Sequence, residues 1–302
     1  MGHLLFGGTL FLGGQFATAR WHLEEAIRLY EEDRTSRKGK QVLYVQDQKA
    51  TGLCYLGLGL TIMGRLEAGL AAAREGVRHA RELGAMHAVN FSLCYLAGVH
   101  HFRGEAAEAL QCATESLELS RELGFATWRG ASQMMRGDAL MRLGSIDEGF
   151  AEMEAGVSAH SGMDAISYRT FSASVRVRGL LVMGRVDEAL ETVEEGLAIS
   201  EQREERFYLG ELLRLKGDAL TMKGQELEAE RLLREAITVA RQQEAKLFEL
   251  RSAVSLCRLL RADSLAVALR ELLRPACSWF DAGVVSPDLV DARSLLASAH
   301  TA

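Results

Sequence analysis

Proline is almost absent from this chain, with 2 residues among 302. Because proline interrupts helices, its scarcity favours long, unbroken helical segments. Hydrophobic residues make up 48% of the chain and charged residues 25%, which is the composition of a folded globular protein. The composition therefore predicts an all-α protein and argues against a β-rich fold.

An excess of positive charge is also missing, since the formal net charge is -6. Surfaces that bind nucleic acids concentrate lysine and arginine, so we expect no nucleic acid contact by this chain. The exception is the basic stretch from Arg34 to Lys40, which follows the acidic residues Glu31, Glu32 and Asp33. This mixture of charges predicts a solvated loop.

Paired cysteines and membrane segments are absent as well. The 5 cysteines contain no C-x-x-C spacing, which is typical of reduced, packed thiols in a cytoplasmic protein. The apolar start of the chain ends like a signal peptide at Ala19, but it lacks the basic opening residues. No apolar run approaches the roughly 20 residues needed to cross a bilayer. We therefore expect a cytoplasmic protein without membrane contact.

Glycine, by contrast, recurs with a fixed period. Five glycines each lie 40 residues after the previous one. They are Gly64, Gly104, Gly144, Gly184 and Gly224. Each stands between two apolar helical stretches, so the spacing predicts a repeated helix–turn–helix unit. Glycine suits these turns because it adopts positive φ angles without steric cost.

Small and apolar residues recur in the same register. Small residues follow the turn glycine at two fixed distances and predict a close approach of the paired helices; they are Gly69, Ala109, Gly149, Ala189 and Ala229, then Gly76, Ser116, Gly156, Gly196 and Ala236. The residues that precede the turn predict the apolar seam between the helices; they are Leu60, Leu140, Leu180 and Leu220, with His100 as the exception.

This pattern resembles the tetratricopeptide repeat, whose central Leu-Gly is matched by Leu56 and Gly57. The resemblance implies a right-handed α-solenoid of about seven tetratricopeptide-like helix pairs plus a C-terminal capping helix, within one domain, 1–302. The predicted units are about 1–30, 50–83, 88–123, 126–160, 168–202, 206–243 and 246–280, with a charged insertion at about 31–47 and the cap at 287–299.

Longer segments resemble one bacterial family. They are YVQDQKATGLCYLGLGLTIMG from Tyr44, ATWRGASQMMRGDALMRLG from Ala126, ELLRLKGDAL from Glu211, EAERLLREAITVARQQEAKLFELRSAVSLCRLLR from Glu228 and LLRPACSWFDAGVVSPDLVDARSLL from Leu272. In this family a class III adenylate or guanylate cyclase domain is followed by an ATPase domain and then by a repeat solenoid. Similar tails occur on ATPase-linked transcription regulators. The resemblance implies a regulatory tail or a fragment of such a signalling protein.

Motifs for catalysis are missing. The chain has no G-x-x-x-x-G-K-[ST] phosphate loop and no G-x-S-x-G nucleophile elbow. The neighbours His100 and His101 point about 100° apart on a helix and cannot ligate one metal ion together. We therefore predict no catalytic residue, no cofactor and no metal site. The cyclase or ATPase chemistry that the resemblance implies would lie in other domains of a parent protein.

Candidate partner-binding residues are the polar and aromatic side chains on the first helix of each pair, which lines the concave face of such solenoids. They are Tyr55, His101, Trp128, Arg129, Gln133, Asp138, Tyr168, Arg176, Arg178, Arg214 and Asp218. Two alternatives stay open. Arg136, Arg176 and Lys216 share one repeat position and could simply pair with neighbouring carboxylates, and the aromatic residues could serve packing between repeats.

The sequence thus favours a non-catalytic interaction and regulatory module in bacterial signalling. Its partner would be a protein, a peptide or an adjoining cyclase or ATPase domain. The alternative is a solenoid that senses a small molecule and regulates a catalytic domain. A homo-oligomer is compatible with either hypothesis.

Overall fold

Helices form all of the regular structure in the part of the chain that the computed structural model describes, which is residues 1–36, 47–161 and 168–298. Of these helices, none has the combination of length and apolar character that spanning a membrane demands. Within the described ranges there is no β-strand. The prediction of an all-α fold is confirmed.

Most helices occur in pairs joined by short turns. The pairs are α1 (Gly2–Leu12) with α2 (Phe16–Ser36), α3 (Gln48–Ile62) with α4 (Leu66–Glu82), α5 (Met86–Arg103) with α6 (Ala106–Leu123), α7 (Ala126–Arg142) with α8 (Ile146–Ser161), α9 (Arg169–Val182) with α10 (Val186–Arg203) and α11 (Leu209–Met222) with α12 (Glu226–Gln242). Helix α13 (Lys246–Leu259) is followed by α14 (Ala262–Ala268), a π-helical turn (Leu269–Leu273), α15 (Arg274–Ser278) and α16 (Pro287–Ser298).

The charged insertion that we predicted at 31–47 begins as a helix, not as the loop that we expected. Helix α2 continues through Ser36, so the acidic residues and Arg34 extend that helix. The rest of the basic stretch lies outside the described residues, as does position 299 at the end of the predicted cap.

The chain divides into two compact units. One unit comprises Met1–Thr61 with Arg65–Ala165, and the other comprises Ile62–Gly64 with Ile166–Ala302. The first unit therefore contains the pairs from α1 to α8, apart from the last residue of α3, and the second contains the helices from α9 onward.

The turns follow the glycine period. All five periodic glycines have positive φ angles, between 71° and 101°. The residue after each of them donates its backbone N–H to the carbonyl at the seam position of the preceding helix, for example from Arg185 to Leu180 at 2.9 Å. This bond satisfies a carbonyl that the end of the helix would otherwise leave unpaired. The expected role of these glycines is therefore confirmed.

A second series of left-handed residues lies 20 positions after the turn glycines, at the turns between successive pairs. Gly84 and Gly124 occupy it first, with φ angles of 64° and 74°. Glu204 and Glu244 occupy it later, with φ angles of 54° and 56°. Residues with a Cβ atom have a higher steric energy in this conformation than glycine does, so the backbone is strained at the two glutamates.

We expect Glu204→Gly and Glu244→Gly each to raise the free energy of unfolding by about 0.5 to 1 kcal/mol, because glycine removes the backbone strain. The greater entropy of glycine in the unfolded chain offsets only part of this stabilisation. Urea denaturation followed by circular dichroism measures the change. The control is Glu191→Gly, at an exposed position inside α10, which should destabilise by about 1 kcal/mol. Equal changes in the free energy of unfolding at the turns and inside α10 would contradict the inference that the turns are strained.

The small residues after each turn lie where the paired helices meet. Ala189 and Ala229 are fully buried. A Cβ atom added to Gly69 would stand 2.7 Å from the carbonyl oxygen of Gly57, which is closer than real contacts allow. Glycine and alanine at these positions therefore permit the close helix contacts that the sequence predicted.

Asp47, the last residue of the predicted insertion, connects three helices of the first unit. Its carboxylate caps α3 by accepting the backbone N–H of Ala50 at 2.8 Å. The Tyr30 hydroxyl of α2 donates to the same carboxylate at 2.8 Å, and Nε2 of His79 in α4 lies 3.1 Å from it. Burial opposes ionisation of Asp47, but these contacts outweigh it and lower its pKa. Asp47 thus fixes where α3 begins and ties it to its neighbours.

Candidate functional site

A group of buried and half-buried charged side chains lies in the second unit, on α11. Arg214 donates from Nη2 to Oε1 of Glu211 at 2.6 Å and from Nη1 to Oδ2 of Asp218 at 2.5 Å. The three residues are spaced so that they share one face of the helix. Glu211 is 2% exposed and the Arg214 side chain 13%, whereas Asp218 is 31% exposed. The group therefore reaches from the interior to solvent through Asp218.

Two further helices complete this group. Arg251 of α13 lies 3.6 Å from Glu211 and donates from Nε to Asp288 of α16 at 2.9 Å. Ser255, one turn further along α13, accepts a hydrogen bond from Arg214 at 3.4 Å. We call Glu211, Arg214, Asp218, Arg251 and Asp288 the ionic cluster. It joins first helices of two successive repeats to the C-terminal helix.

The charges of the ionic cluster act strongly on its carboxylates. Burial raises the pKa of Glu211, but Arg214, Arg251 and Arg178 outweigh it and lower the pKa to about 2. Burial raises the pKa of Asp218, and Arg214 offsets this only in part. One carboxylate of α11 is thus held firmly ionised, while the more exposed one is easier to protonate. Carboxylates with opposite shifts in one cluster are common at functional sites.

Arg178 of α9 belongs to the same surroundings. Its charge acts on Glu211 and on the buried hydroxyl of Tyr208, whose pKa burial raises. Arg178, Arg214 and Asp218 were predicted as site residues, and the structure brings them together. Glu211, Arg251 and Asp288 were missed. The position of Glu211 three residues before Arg214 was a usable signal, whereas the pairing of Arg251 with a residue 37 positions away was not.

The basic residues at one shared repeat position have ordinary partners. Arg136 pairs with Glu152, and Lys216 pairs with Glu194 at 2.5 Å. Arg176 donates to the hydroxyl of Thr192 in the paired helix. The structure therefore supports local pairing for Arg136 and Lys216, and it gives Arg176 a hydroxyl partner in the paired helix.

Tyr55 and Trp128 lie in the first unit and pack against other aromatic rings. The ring of Tyr55 is 5.5 Å from Phe11 of α1 and 5.4 Å from Tyr95 of α5. The indole of Trp128 is 5.1 Å from the ring of Phe91. All of these contacts join different repeats, so both residues contribute to packing between them.

His101 was predicted as a partner-binding residue, but its side chain is not accessible. Its side chain is fully enclosed, and Nδ1 lies 2.8 Å from Oδ2 of Asp138. Asp138 is also buried and accepts a bond from Arg142 at 3.1 Å. This pair joins α5 to α7 across two repeats. A partner cannot reach His101 directly, because its side chain has no exposed surface.

The remaining predicted residues are scattered. Arg129 is exposed and Gln133 is half-buried, both on α7. Tyr168 stands before α9 with a φ angle of 71°, and its ring lies 5.4 Å from Phe207. The structure places these three outside the ionic cluster.

No metal site is formed within the described ranges, since no three histidine, cysteine, aspartate or glutamate residues there are arranged to hold an ion. The two adjacent histidines take different partners, as expected from their divergence on the helix. His100 contacts Glu105 at 2.6 Å, while His101 contacts Asp138.

Comparisons with known proteins find similarity at the level of structure alone. No protein-family model and no curated protein matches this sequence. The chain is similar to the apo form of RapI, with 13% identity, 98% of each chain covered and a TM-score of 0.56. It is similar to NprR in complex with its cognate peptide NprX, with 14% identity, 99% of this chain and 87% of that chain covered and a TM-score of 0.58.

A third similar structure is a Rap protein complexed with competence and sporulation factor, with 16% identity, 85% of this chain and 74% of that chain covered and a TM-score of 0.56. At such low identity these similarities establish the fold and nothing more. The chain is an all-α solenoid of tetratricopeptide-like repeats, as the sequence predicted.

Proposed function

We propose that this chain is a non-catalytic regulatory solenoid that binds a peptide or protein partner through the first helices of its second unit. One observation carries the proposal. On α9 and α11, a charged residue is followed four positions later by an exposed apolar residue, Val182 after Arg178 and Met222 after Asp218. The apolar side chains are 58% and 55% exposed. Residues with this spacing share a helix face, so each repeat presents a charge beside an apolar contact.

Such a surface suits an extended peptide better than a catalytic reaction. Peptides in grooves are held by apolar anchors and by charged groups that fix their orientation. Two of the similar structures are described as complexes with a peptide or with a named factor, which supports the same class of partner here. The ionic cluster would hold the charged groups of the surface in place, since each of its members has a partner within the protein.

A binding experiment with matched controls tests this site. Panning a displayed peptide library on the full chain should enrich peptides that bind it. We expect Asp218→Asn and Met222→Ser each to weaken their binding by more than about tenfold. Glu235→Gln and Leu227→Ser, at exposed positions on the paired helix α12, should leave binding unchanged. Enriched peptides that bind all four variants equally would contradict the assignment of the site.

The parent protein is a further part of the proposal. The resemblance of the C-terminal third supports a role as the tail, or a fragment, of a bacterial cyclase or ATPase signalling protein, in which the solenoid would regulate the catalytic domains. The coding sequence upstream tests this directly. A cyclase or ATPase reading frame continuous with this chain would support the proposal, and an unrelated neighbouring gene with its own stop codon would count against it.

Sensing of a small molecule is the competing function, because a buried group of paired charges can also accept a small charged ligand. A thermal-shift screen with nucleotides and sugars separates the two. A stabilising ligand whose effect is lost in Asp218→Asn would favour sensing, and uniformly unchanged melting temperatures would favour the peptide.

A further inference from the structure

A histidine and a tryptophan from successive repeats form a hydrogen bond in the first unit. Trp128, near the start of α7, donates its indole N–H to Nε2 of His87, in the first turn of α5, at 3.2 Å. The indole nitrogen can only donate. Nε2 of His87 must therefore be the unprotonated nitrogen, and the imidazole is neutral with its hydrogen on Nδ1.

The other ring nitrogen gives the imidazole no support for a positive charge. Nδ1 of His87 is buried, and it has no hydrogen-bond acceptor among the described residues. The groups seen to face the ring are aromatic, with Phe125 at 5.1 Å and Trp128 at 6.2 Å between ring centroids. The first turns of α5 and α7 contain no acidic residue. Helices α4, α6 and α7 pack against α5. Their charged residues nearest in sequence to His87, Phe125 and Trp128 are all exposed; they are Arg81, Glu82, Arg121, Glu122 and Arg129.

Protonation of His87 would remove the hydrogen-bond acceptor from this contact. A proton added to His87 goes to Nε2, the only nitrogen with a free lone pair, and both nitrogens then carry hydrogens. The N–H of Nε2 would point at the N–H of Trp128, so two donors would face each other. The bond between the repeats cannot persist in that state.

We propose that the His87–Trp128 pair is a pH-sensitive latch: protonation of His87 releases the indole of Trp128 from its packed position between α5 and α7. Burial lowers the pKa of His87, and this agrees with the geometry, because both show that the packed state favours the neutral ring. The stabilisation by the latch is therefore complete above the ordinary histidine pKa of about 6.5 and is lost as the pH falls below it.

The latch does not rest on the proposed function, which places the partner on the second unit, whereas His87 and Trp128 lie in the first. Release of Trp128 would change the surface of α7 in mildly acidic conditions. The release itself is a property of the free protein, so it can be tested without any partner and fails or succeeds independently of peptide binding.

Fluorescence of Trp128 alone is the test. The chain contains 3 tryptophans, and the other two, Trp21 and Trp279, are half-exposed at 57% and 49%, so Trp21→Phe and Trp279→Phe leave one reporter. We expect the emission of Trp128 to shift to longer wavelength, and acrylamide quenching to increase, as the pH is lowered from 7.5 to 5. In the same background, His87→Gln should abolish the transition, because a glutamine oxygen accepts the indole N–H but does not titrate.

Three results would overturn the latch. The first is an emission spectrum that stays constant over this pH range. The second is a transition that persists in His87→Gln, which would assign it to another group. The third is a simultaneous loss of the far-ultraviolet helical signal, which would identify the change as unfolding of the whole domain.

Discussion

Replacing Glu211 with glutamine is expected to lower the free energy of unfolding by about 3 to 5 kcal/mol, because it leaves Arg214 and Arg251 buried without their shared counter-charge. Both arginines lie in the interior, with side chains 13% and 9% exposed. The glutamine has nearly the same shape as glutamate, so the substitution opens no cavity. Urea denaturation of the full chain measures the effect.

The same ion pair occurs at the surface of the neighbouring helix and provides a matched control. Glu228 and Arg231 of α12 have the same spacing, and their atoms lie 2.7 Å apart, but their side chains are 50% and 58% exposed. Solvent screens this pair, so Glu228→Gln should change the free energy of unfolding far less than Glu211→Gln does. Similar losses for the two variants would show that burial does not strengthen the ionic cluster.

Acid should remove the difference between wild type and Glu211→Gln. The folded protein holds the pKa of Glu211 at about 2, below the ordinary value of 4.5. The contribution of its charge is therefore complete above pH 4.5 and declines as the pH falls towards 2. We expect the unfolding curves of the two proteins to converge over this interval. A difference that stayed constant down to pH 2 would assign the stabilisation to packing of the side chain.

The repeats were predictable from the sequence because each turn imposes a local requirement. A positive φ angle favours glycine, and a close helix contact favours a small side chain, so both produce residues of one type at fixed spacing. Gly84 and Gly124 could be identified as helix stops in the same way, but the left-handed turns at Glu204 and Glu244 were missed, since glutamate stands there in place of glycine. The residues directly after these glutamates, Glu205 and Ala245, are buried, and a spacing pattern of glycines cannot show that.

The candidate site was only partly predictable, for a physical reason. Repeat register identified Arg178, Arg214 and Asp218, because it places polar residues on the first helices. It could not identify which charges pair, since Arg251 and Asp288 meet across 37 residues of sequence. It also could not separate exposed from buried polar groups, and His101 is buried because Asp138 of the next repeat satisfies its nitrogen.

Adding one methyl group to Gly156 is expected to destabilise the first unit by about 2 to 3 kcal/mol, because the paired helices α7 and α8 meet through their backbones. A Cβ atom at Gly156 would lie 2.3 Å from the backbone nitrogen of Met134 and 2.8 Å from the carbonyl oxygen of Gly130. Backbone atoms cannot rotate away as a side chain can. Gly156→Ala must therefore push the two helices apart.

Gly59→Ala is the matched control, since it makes the same substitution inside helix α3 of the same unit. Its added Cβ would lie 3.7 Å from the nearest atom, in the ring of Phe11, which is an ordinary contact. Alanine favours the helix over glycine, so this variant should gain about 0.5 to 1 kcal/mol. Opposite signs in urea denaturation would attribute the loss at Gly156 to the close approach of α7 and α8. A gain at both positions would mean that these helices lie further apart, and that no close contact requires glycine at Gly156.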